Sequence, residues 1–261
     1  MNNLAENQIK NYINGRAIYE RKILSEAFNM RCEKISIEKK EIIIAKYYVN
    51  KNKEFNSIIS ETNSLKFLSK KFPLLFPKVK FKSENLLIIN FIENNNIKNN
   101  DYQEILADKI IDIHNIKNDK YGFSFDAQIG GLRQSNEYET SWVSFFREKR
   151  LNMIFEKINN INPMPTFLNI KIEMLLKNLG NYIPDNPISS LIHGDLWSGN
   201  ILFNNGKLVG LIDPGIYYGH NELEIAYLTW FKYVDQKFLD YYSNKYKIDN
   251  YFYKYEPIYQ L

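Results

Sequence analysis

The residue types best suited to chemistry are gathered in one short stretch, Leu191-Ile192-His193-Gly194-Asp195-Leu196-Trp197-Ser198-Gly199-Asn200, and in Leu211-Ile212-Asp213-Pro214-Gly215 soon after it. Asp195 and Asn200 share a glycine-rich loop and Asp213 closes a β-rich run, so a loop and a hairpin can bring three oxygen-bearing side chains together. Such donors suit a hard divalent cation such as Mg²⁺. Phosphoryl transfer needs this set: one carboxylate to orient and deprotonate the attacking hydroxyl, and an Asn with a second Asp to hold Mg²⁺ on the nucleotide phosphates. The spacing is that of a kinase catalytic loop, with His193-Gly194-Asp195 in the place of His-Arg-Asp and Asp213 in that of the metal-binding Asp.

That chemistry makes a demand on the first third of the chain, a Lys on the third strand and a Glu on the following helix. Lys46 lies in the run Ile42–Val49 and Glu61 in the next amphipathic stretch, so they can orient the α- and β-phosphates as an ion pair. Competing chemistries fit less well. Ser198 lacks the Gly-x-Ser-x-Gly elbow of a serine hydrolase. A metallohydrolase built on His193, Asp195, Asp213 and His220 would have no further histidine nearby. His114, at the end of an amphipathic run, reads as a structural histidine.

The elements that must position these groups can be read from pattern. Leu4–Ile13 predicts a helix, with a second helical start near Ile18–Leu24. Arg31–Ile37 and Glu41–Tyr48 read as a hairpin across Glu38, Lys39 and Lys40, followed by a helix over Glu54–Lys70 and strands at Val79–Phe81 and Leu86–Phe91. The Asn-rich stretch from Glu93 to Asp101 reads as a linker. Beyond it the pattern predicts helices at Tyr102–Asn115, Tyr138–Ile158 and Asn169–Tyr182, a hairpin of Ile201–Phe203 and Leu208–Ile212, and an aromatic helical end from Glu222. The expectation is an α+β, bilobal, protein-kinase-like fold: a small antiparallel β lobe with one main helix over 1–93, which binds nucleotide, and a larger, mostly helical catalytic lobe over 94–261, with a cleft between them.

Composition narrows the class. Across 261 residues, 34 Lys+Arg face 30 Asp+Glu, and the lysines are dispersed, unlike a nucleic-acid-binding face. No apolar run reaches the ~18 residues of a membrane helix, and Met1–Asn11 is too polar for a signal peptide, so a cytoplasmic location and no membrane partner are expected. Cys32 is the sole cysteine and can form no internal disulfide. The 11 glycines leave a gap from Gly15 to Gly122, so the first third has no glycine-rich phosphate loop.

His193–Asn200, Asp213-Pro214 and Tyr218-Gly219-His220-Asn221-Glu222, with Tyr121-Gly122-Phe123, Ile129-Gly130-Gly131, Gln134–Asn136 and Trp142–Leu151, resemble the fructosamine kinase (ketosamine-3-kinase) family of aminoglycoside phosphotransferase-like kinases. The resemblance runs from about Leu24 to the C-terminus. It implies ATP- and Mg²⁺-dependent phosphorylation of the 3-hydroxyl of a ketosamine, free or protein-linked, which is protein deglycation. Asp195 would be the base, Asn200 and Asp213 the Mg²⁺ ligands, Lys46 and Glu61 the phosphate-orienting pair, and Asn90, Phe91, Ile92 and Glu93 the adenine hinge. Trp197 could cover a sugar face or attract a cationic amine, or pack in the core. His220 and Glu222 would touch substrate or brace the loop. Two departures stand out: Ser25–Arg31 has no glycine where the family's nucleotide loop has them, and the family continues through another helical segment beyond Leu261. The resemblance also implies either a monomer or a redox-sensitive homodimer through Cys32. Competing functions are a phosphotransferase acting on an aminoglycoside, choline or another small alcohol, and a nucleotide-binding pseudokinase.

Overall fold

The computed structural model describes residues 3–50 and 54–261, so Met1 and Asn2 of the polar opening lie outside it. Contacts group the chain into two compact units, one of Met1–Asn99, Gln128–Arg133 and Gly199–Gly215, the other of Asn100–Ala127, Gln134–Ser198 and Ile216–Leu261. Chain order and contacts thus divide the molecule differently, because two later segments pack with the first third.

In the first unit, β1 (Ile18–Ala27), β2 (Met30–Ile37), β3 (Glu41–Tyr48), β4 (Val79–Lys82) and β5 (Leu86–Asn90) form an antiparallel sheet in the order β1-β2-β3-β5-β4. Helix α1 (Asn3–Ile13) lays Ala5, Ile9 and Ile13, one turn apart, against Ile35, Ile37, Ile43, Ala45 and Ile88. Each isoleucine so buried contributes about 1.5–3 kcal/mol. The helical start expected near Ile18 is instead β1. Its side chains are nearly all exposed and carry no period, and its strand state comes from pairing with β2. Across that pair the Arg21 guanidinium bonds buried Glu33 (3.0 Å) and reaches Glu6 of α1 (2.8 Å), while Tyr47 donates to Glu33 from β3 (2.8 Å).

Helix α2 (Ser57–Lys71) packs on β4 and β5, capped where the Asn56 side chain accepts the Ile59 N–H at 3.1 Å. The hairpin of β9 (Ile201–Asn204) and β10 (Lys207–Leu211) turns through Asn205 (φ +47°) and Gly206 (φ +81°). Both central residues with positive φ make a type I′ turn, as its Asn-Gly sequence predicts. The Asn-rich stretch read as a linker is docked on this hairpin. Asn95 and Asn96 N–H groups donate to Phe203 O (3.1 and 2.9 Å), the Asn95 side chain pairs with Asn205, and Gly206 N–H donates to Ile97 O (2.9 Å).

In the second unit, α3 (Tyr102–His114) packs on α8 (Gln236–Lys245) and on β8 (Ser189–Ile192), which pairs antiparallel with β11 (Tyr217–His220). Helix α7 (Asn221–Trp230) packs on α9 (Phe252–Tyr259) and β8. The expected Tyr138–Ile158 helix begins later, as α4 (Trp142–Phe146) capped by Ser141, and passes through a π turn at Arg147–Asn152 into α5 (Met153–Ile161). A short hairpin of β6 (Ala127–Ile129) and β7 (Leu132–Gln134), whose residues 128–133 group with the first unit, precedes it in the chain, and α6 (Thr166–Lys177) follows. The Trp142–Leu151 signature has a packing reason. Trp142 is fully buried against Phe145 and Phe146, and Arg150, also buried, stacks on Tyr217 at 3.9 Å and donates to Asn136 Oδ1 at 2.7 Å. No described helix is long and apolar enough to cross a membrane.

Candidate active site

In β3 alternate side chains take opposite faces, so Ile43, Ala45 and Tyr47 join the α1 core while Lys46 points the other way. Lys46 Nζ donates to Glu61 Oε1 of α2 at 2.6 Å and is ion-paired with Asp213, which follows β10. Lys46 and Glu61 are buried; the Asp213 side chain is 39% exposed. Asp213 takes a left-handed backbone (φ +57°), and the Ile212 N–H donates to Asn200 O at 3.0 Å, tying the chain beside Asp213 to Asn200. Burial opposes the lysine's charge, but Asp213 and then Glu61 more than offset it and raise its pKa. Burial pushes Glu61 upward as well, partly countered by Lys46. Lys46 thus stays charged between its two acidic partners, while burial works against the charge on Glu61.

Asn200 and Asp213 offer oxygen donors only, the set that suits Mg²⁺. Among the described residues no cluster of three His, Cys, Asp or Glu could form an all-protein metal cage. Mg²⁺ fits such a sparse site, because it is ordinarily held by one or two carboxylates together with substrate phosphates.

The proposed hinge is partly committed to the fold. Asn90 N–H donates to Lys78 O (3.2 Å), Phe91 N–H to Ile42 O (3.3 Å), and Ile92 O accepts from the Asn94 side chain (2.8 Å). The Ile92 side chain lies over Gly210, where a Cβ would come within 2.6 Å of it. In place of a glycine-rich loop, β1 and β2 meet in a two-residue turn of Phe28 (φ +51°) and Asn29 (φ +62°). Asn29 tolerates this conformation and is fixed by its side chain, which accepts the Asn50 N–H at 2.8 Å. Phe28 covers Gly130-Gly131, where a Cβ on Gly131 would come within 2.5 Å of the Phe28 Cβ. Cys32 lies opposite Lys46 in the β2–β3 register, and burial pushes its thiol up to about 12, which disfavours thiolate chemistry.

In the second unit, the chain at His193-Gly194-Asp195 is held by its backbone. Buried Glu224 of α7 accepts the N–H of His193 (3.2 Å) and of Gly194 (2.9 Å). His114 bonds the same carboxylate at 3.0 Å and Tyr242 OH at 2.8 Å, and Asn221 donates to that hydroxyl at 3.1 Å. Burial works against the Glu224 charge, but the bonds from His114 and Gly194 more than offset it and hold the group below the usual carboxylate range. The Asp195 carboxylate accepts Tyr227 OH at 3.3 Å. Trp197 is partly exposed and meets Phe231 with ring centroids 6.0 Å apart, rather than lying in the core.

His220 and Glu222 take different surroundings. In the β8–β11 register Tyr217 faces Ile192 and His220 faces Ser189. Each step toward His220 therefore runs away from Asp195, about 10 Å over three residues. His220 bonds Tyr259 OH at 2.8 Å, and Glu222 accepts Asp249 N–H (2.6 Å) and Tyr255 OH. Burial and then the His114 charge push His220 down to about 3, so its 3.7 Å approach to Glu222 joins a neutral ring to the carboxyl. Sequence reading missed Glu224 and Tyr227. Their signal is helical spacing, three residues apart on a stretch that begins just after a strand.

Residues 29–261 match the family described as fructosamine kinase. The chain belongs to that family. It is 32% identical to a probable ketoamine kinase of Enterococcus faecium over 164 residues, 61% of this chain and 58% of that protein. It is 30% identical to a protein-ribulosamine 3-kinase, chloroplastic, of Arabidopsis thaliana over 161 residues, 55% of this chain and 44% of that protein. The chain thus spans about half the length of the curated relatives it matches. Its fold is that of a candidate fructosamine-3-kinase from Thermobifida fusca, with a TM-score of 0.84 at 20% identity over 100% of this chain and 90% of that one. It also matches an aminoglycoside phosphotransferase in its gentamicin complex, with a TM-score of 0.64 at 17% identity over 100% of this chain and 84% of that one. The α+β, kinase-like fold expected from the sequence is therefore present.

Proposed function

We propose that this fructosamine kinase family member transfers the γ-phosphoryl group of ATP to the 3-hydroxyl of a ketosamine. The observation that carries the reading is the buried Lys46, shared by Glu61 and Asp213, which joins three distant parts of the sequence in the arrangement phosphate orientation requires. The relatives named ketoamine kinase and protein-ribulosamine 3-kinase supply the acceptor class.

In this mechanism Lys46, held by Glu61, meets the α- and β-phosphates. Asn200 and Asp213 would hold Mg²⁺, which when bound would neutralise charge on the phosphoryl oxygens. The adenine lies along 90–93 and meets backbone groups there other than the Asn90 and Phe91 N–H and the Ile92 O, which are bonded within the fold. Asp195 accepts the proton of the attacking hydroxyl, its chain held still by Glu224. We assign nucleotide binding to 1–93, with the 199–215 segment added, and catalysis and acceptor binding to the remainder. A half-buried, protonated Cys32 fits a reducing compartment such as the cytoplasm and a chain not joined by disulfide. His220 and Glu222 brace the helical end through Tyr259 and Tyr255.

The test is an acceptor screen with coupled ADP detection. Mg²⁺-dependent ADP release with ribulosamine or fructosamine, and none with Asp195→Ala, is the expected result. Turnover of an aminoglycoside or choline alone would move the assignment to another alcohol, and a thermal shift with Mg·ATP without turnover of any acceptor would favour the nucleotide-binding pseudokinase.

A further inference from the structure

The C-terminal end of α7 carries three aromatic rings beside the Asp195 loop. Tyr227, Trp230 and Phe231 recur at spacings of three and four, so they share a helix face. The Phe231 centroid lies 4.9 Å from that of Tyr227, 5.0 Å from Trp230 and 6.0 Å from Trp197. Trp230 is 54% exposed and Phe231 43%, although large side chains elsewhere on α7, such as Ile225 and Leu228, are fully buried. Contiguous exposed apolar surface, unlike singly scattered side chains, is a mark of ligand-binding grooves and interaction sites. This one is tied to the reacting group, since Tyr227 OH donates to Asp195 Oδ1 at 3.3 Å.

We infer that Tyr227 is a positioning residue for Asp195, and that Trp197, Phe231 and Trp230 form a specificity wall for the protonated amine of the acceptor and the aliphatic chain it carries. The inference rests on the ketosamine reading above. Only three carbons separate the amine nitrogen of a ketosamine from its 3-hydroxyl oxygen. When that hydroxyl meets Asp195, the nitrogen must therefore lie within a few ångströms of the same carboxylate, where the ring cluster begins. Aromatic faces carry negative quadrupole charge and attract a cation, while methylene groups pack on their apolar surface. The adjacent carboxylate has the same sign. An anionic or neutral substituent would gain neither attraction. Tyr227 holds one carboxylate oxygen by hydrogen bond, which fixes the orientation of the other toward the incoming hydroxyl.

The experiment compares two acceptors with the same ketose, one linked through a secondary amine and one through an uncharged ether oxygen. Wild type should favour the amine by about tenfold in kcat/KM, expressed in KM. Trp230→Leu with Phe231→Leu should bring the two acceptors within about twofold, through a rise in KM for the amine, and Trp230→Phe should keep the preference. Tyr227→Phe should lower kcat about fivefold with KM unchanged. An amine preference that survives the double substitution, or a Tyr227→Phe effect confined to KM, overturns the proposal. If wild type phosphorylates no ketosamine, the functional reading fails and the wall is tested alone. Tetramethylammonium, and not tert-butanol, should then perturb indole fluorescence in wild type but not in the double variant. Equal responses to the two probes would overturn the wall.

Discussion

The Lys46 cluster and the Asp195 loop are held in place by opposite means. At Lys46 the groups assigned to bind phosphate and metal are themselves the structural contacts: a buried ammonium between Glu61 and Asp213. At Asp195 the two tasks fall to different residues. Glu224, backed by His114 and Tyr242, grips the backbone, and the Asp195 side chain is contacted by Tyr227. The difference teaches where stability and activity can be separated. In the first region a substitution must disturb both, whereas in the second the chemistry can be removed while the fold remains.

Asp195→Ala should give the largest effect and the sharpest form of the contrast. Turnover should fall about a thousandfold, while the denaturation midpoint and the thermal shift with Mg·ATP stay near those of wild type. Lys46→Met is the counterpart that loses both. It leaves Glu61 buried beside Asp213 without their cation, and unfolding free energy should fall by about 2–3 kcal/mol in urea titration, less than for a fixed ion because Glu61 can take up a proton. The Mg·ATP shift should vanish with it. A Lys46→Met protein of wild-type stability would break the comparison.

Glu224→Gln tests the brace. The amide keeps one oxygen for two N–H groups and their histidine, so stability should fall by about 1–2 kcal/mol, and kcat about tenfold, with KM for ATP unchanged. The smallest effect concerns a histidine outside both regions. His220 stays neutral in the folded protein down to about pH 3, whereas an unfolded histidine takes up a proton near pH 6.5. The unfolded state therefore binds more protons in this window, and His220's contribution is lost as pH falls from about 6.5 toward 3. The slope is at most about 1.4 kcal/mol per pH unit. His220→Gln should flatten the pH 7 to pH 5 difference in urea stability by about 1–2 kcal/mol.

What the sequence disclosed and what it hid follow from the same contrast. Lys46 and Glu61 were legible only through the kinase template, which asks for a Lys on the third strand and a Glu on the next helix; the further ion pair of Lys46 with Asp213, read from sequence as a metal ligand, was not. The β9–β10 hairpin was legible from Asn205-Gly206. Strand β1 was not, since exposed side chains on both faces leave no alternation and its pairing with β2 decides the conformation. The Asn-rich composition between Glu93 and Asp101 suited a linker, yet the amides of Asn95 and Asn205 bond the hairpin backbone and each other. His220 and Glu222 looked close to the site because they follow Asp213 in sequence, and strand β11 carries them away from Asp195. Helical spacing places Glu224 and Tyr227 on one side of their helix, but the residues they contact there lie about thirty positions away, and that pairing is set by the fold.

Delivery of a ketosamine 3-hydroxyl to ATP by Asp195 is tested most directly by ³¹P and ¹³C NMR of the product formed from a ¹³C-labelled ribulosamine, Mg·ATP and the protein. A new phosphate monoester coupled to C3, formed with stoichiometric ADP and absent with Asp195→Ala, is the predicted result. ADP release without a C3 phosphate, or the same product from Asp195→Ala, would contradict it.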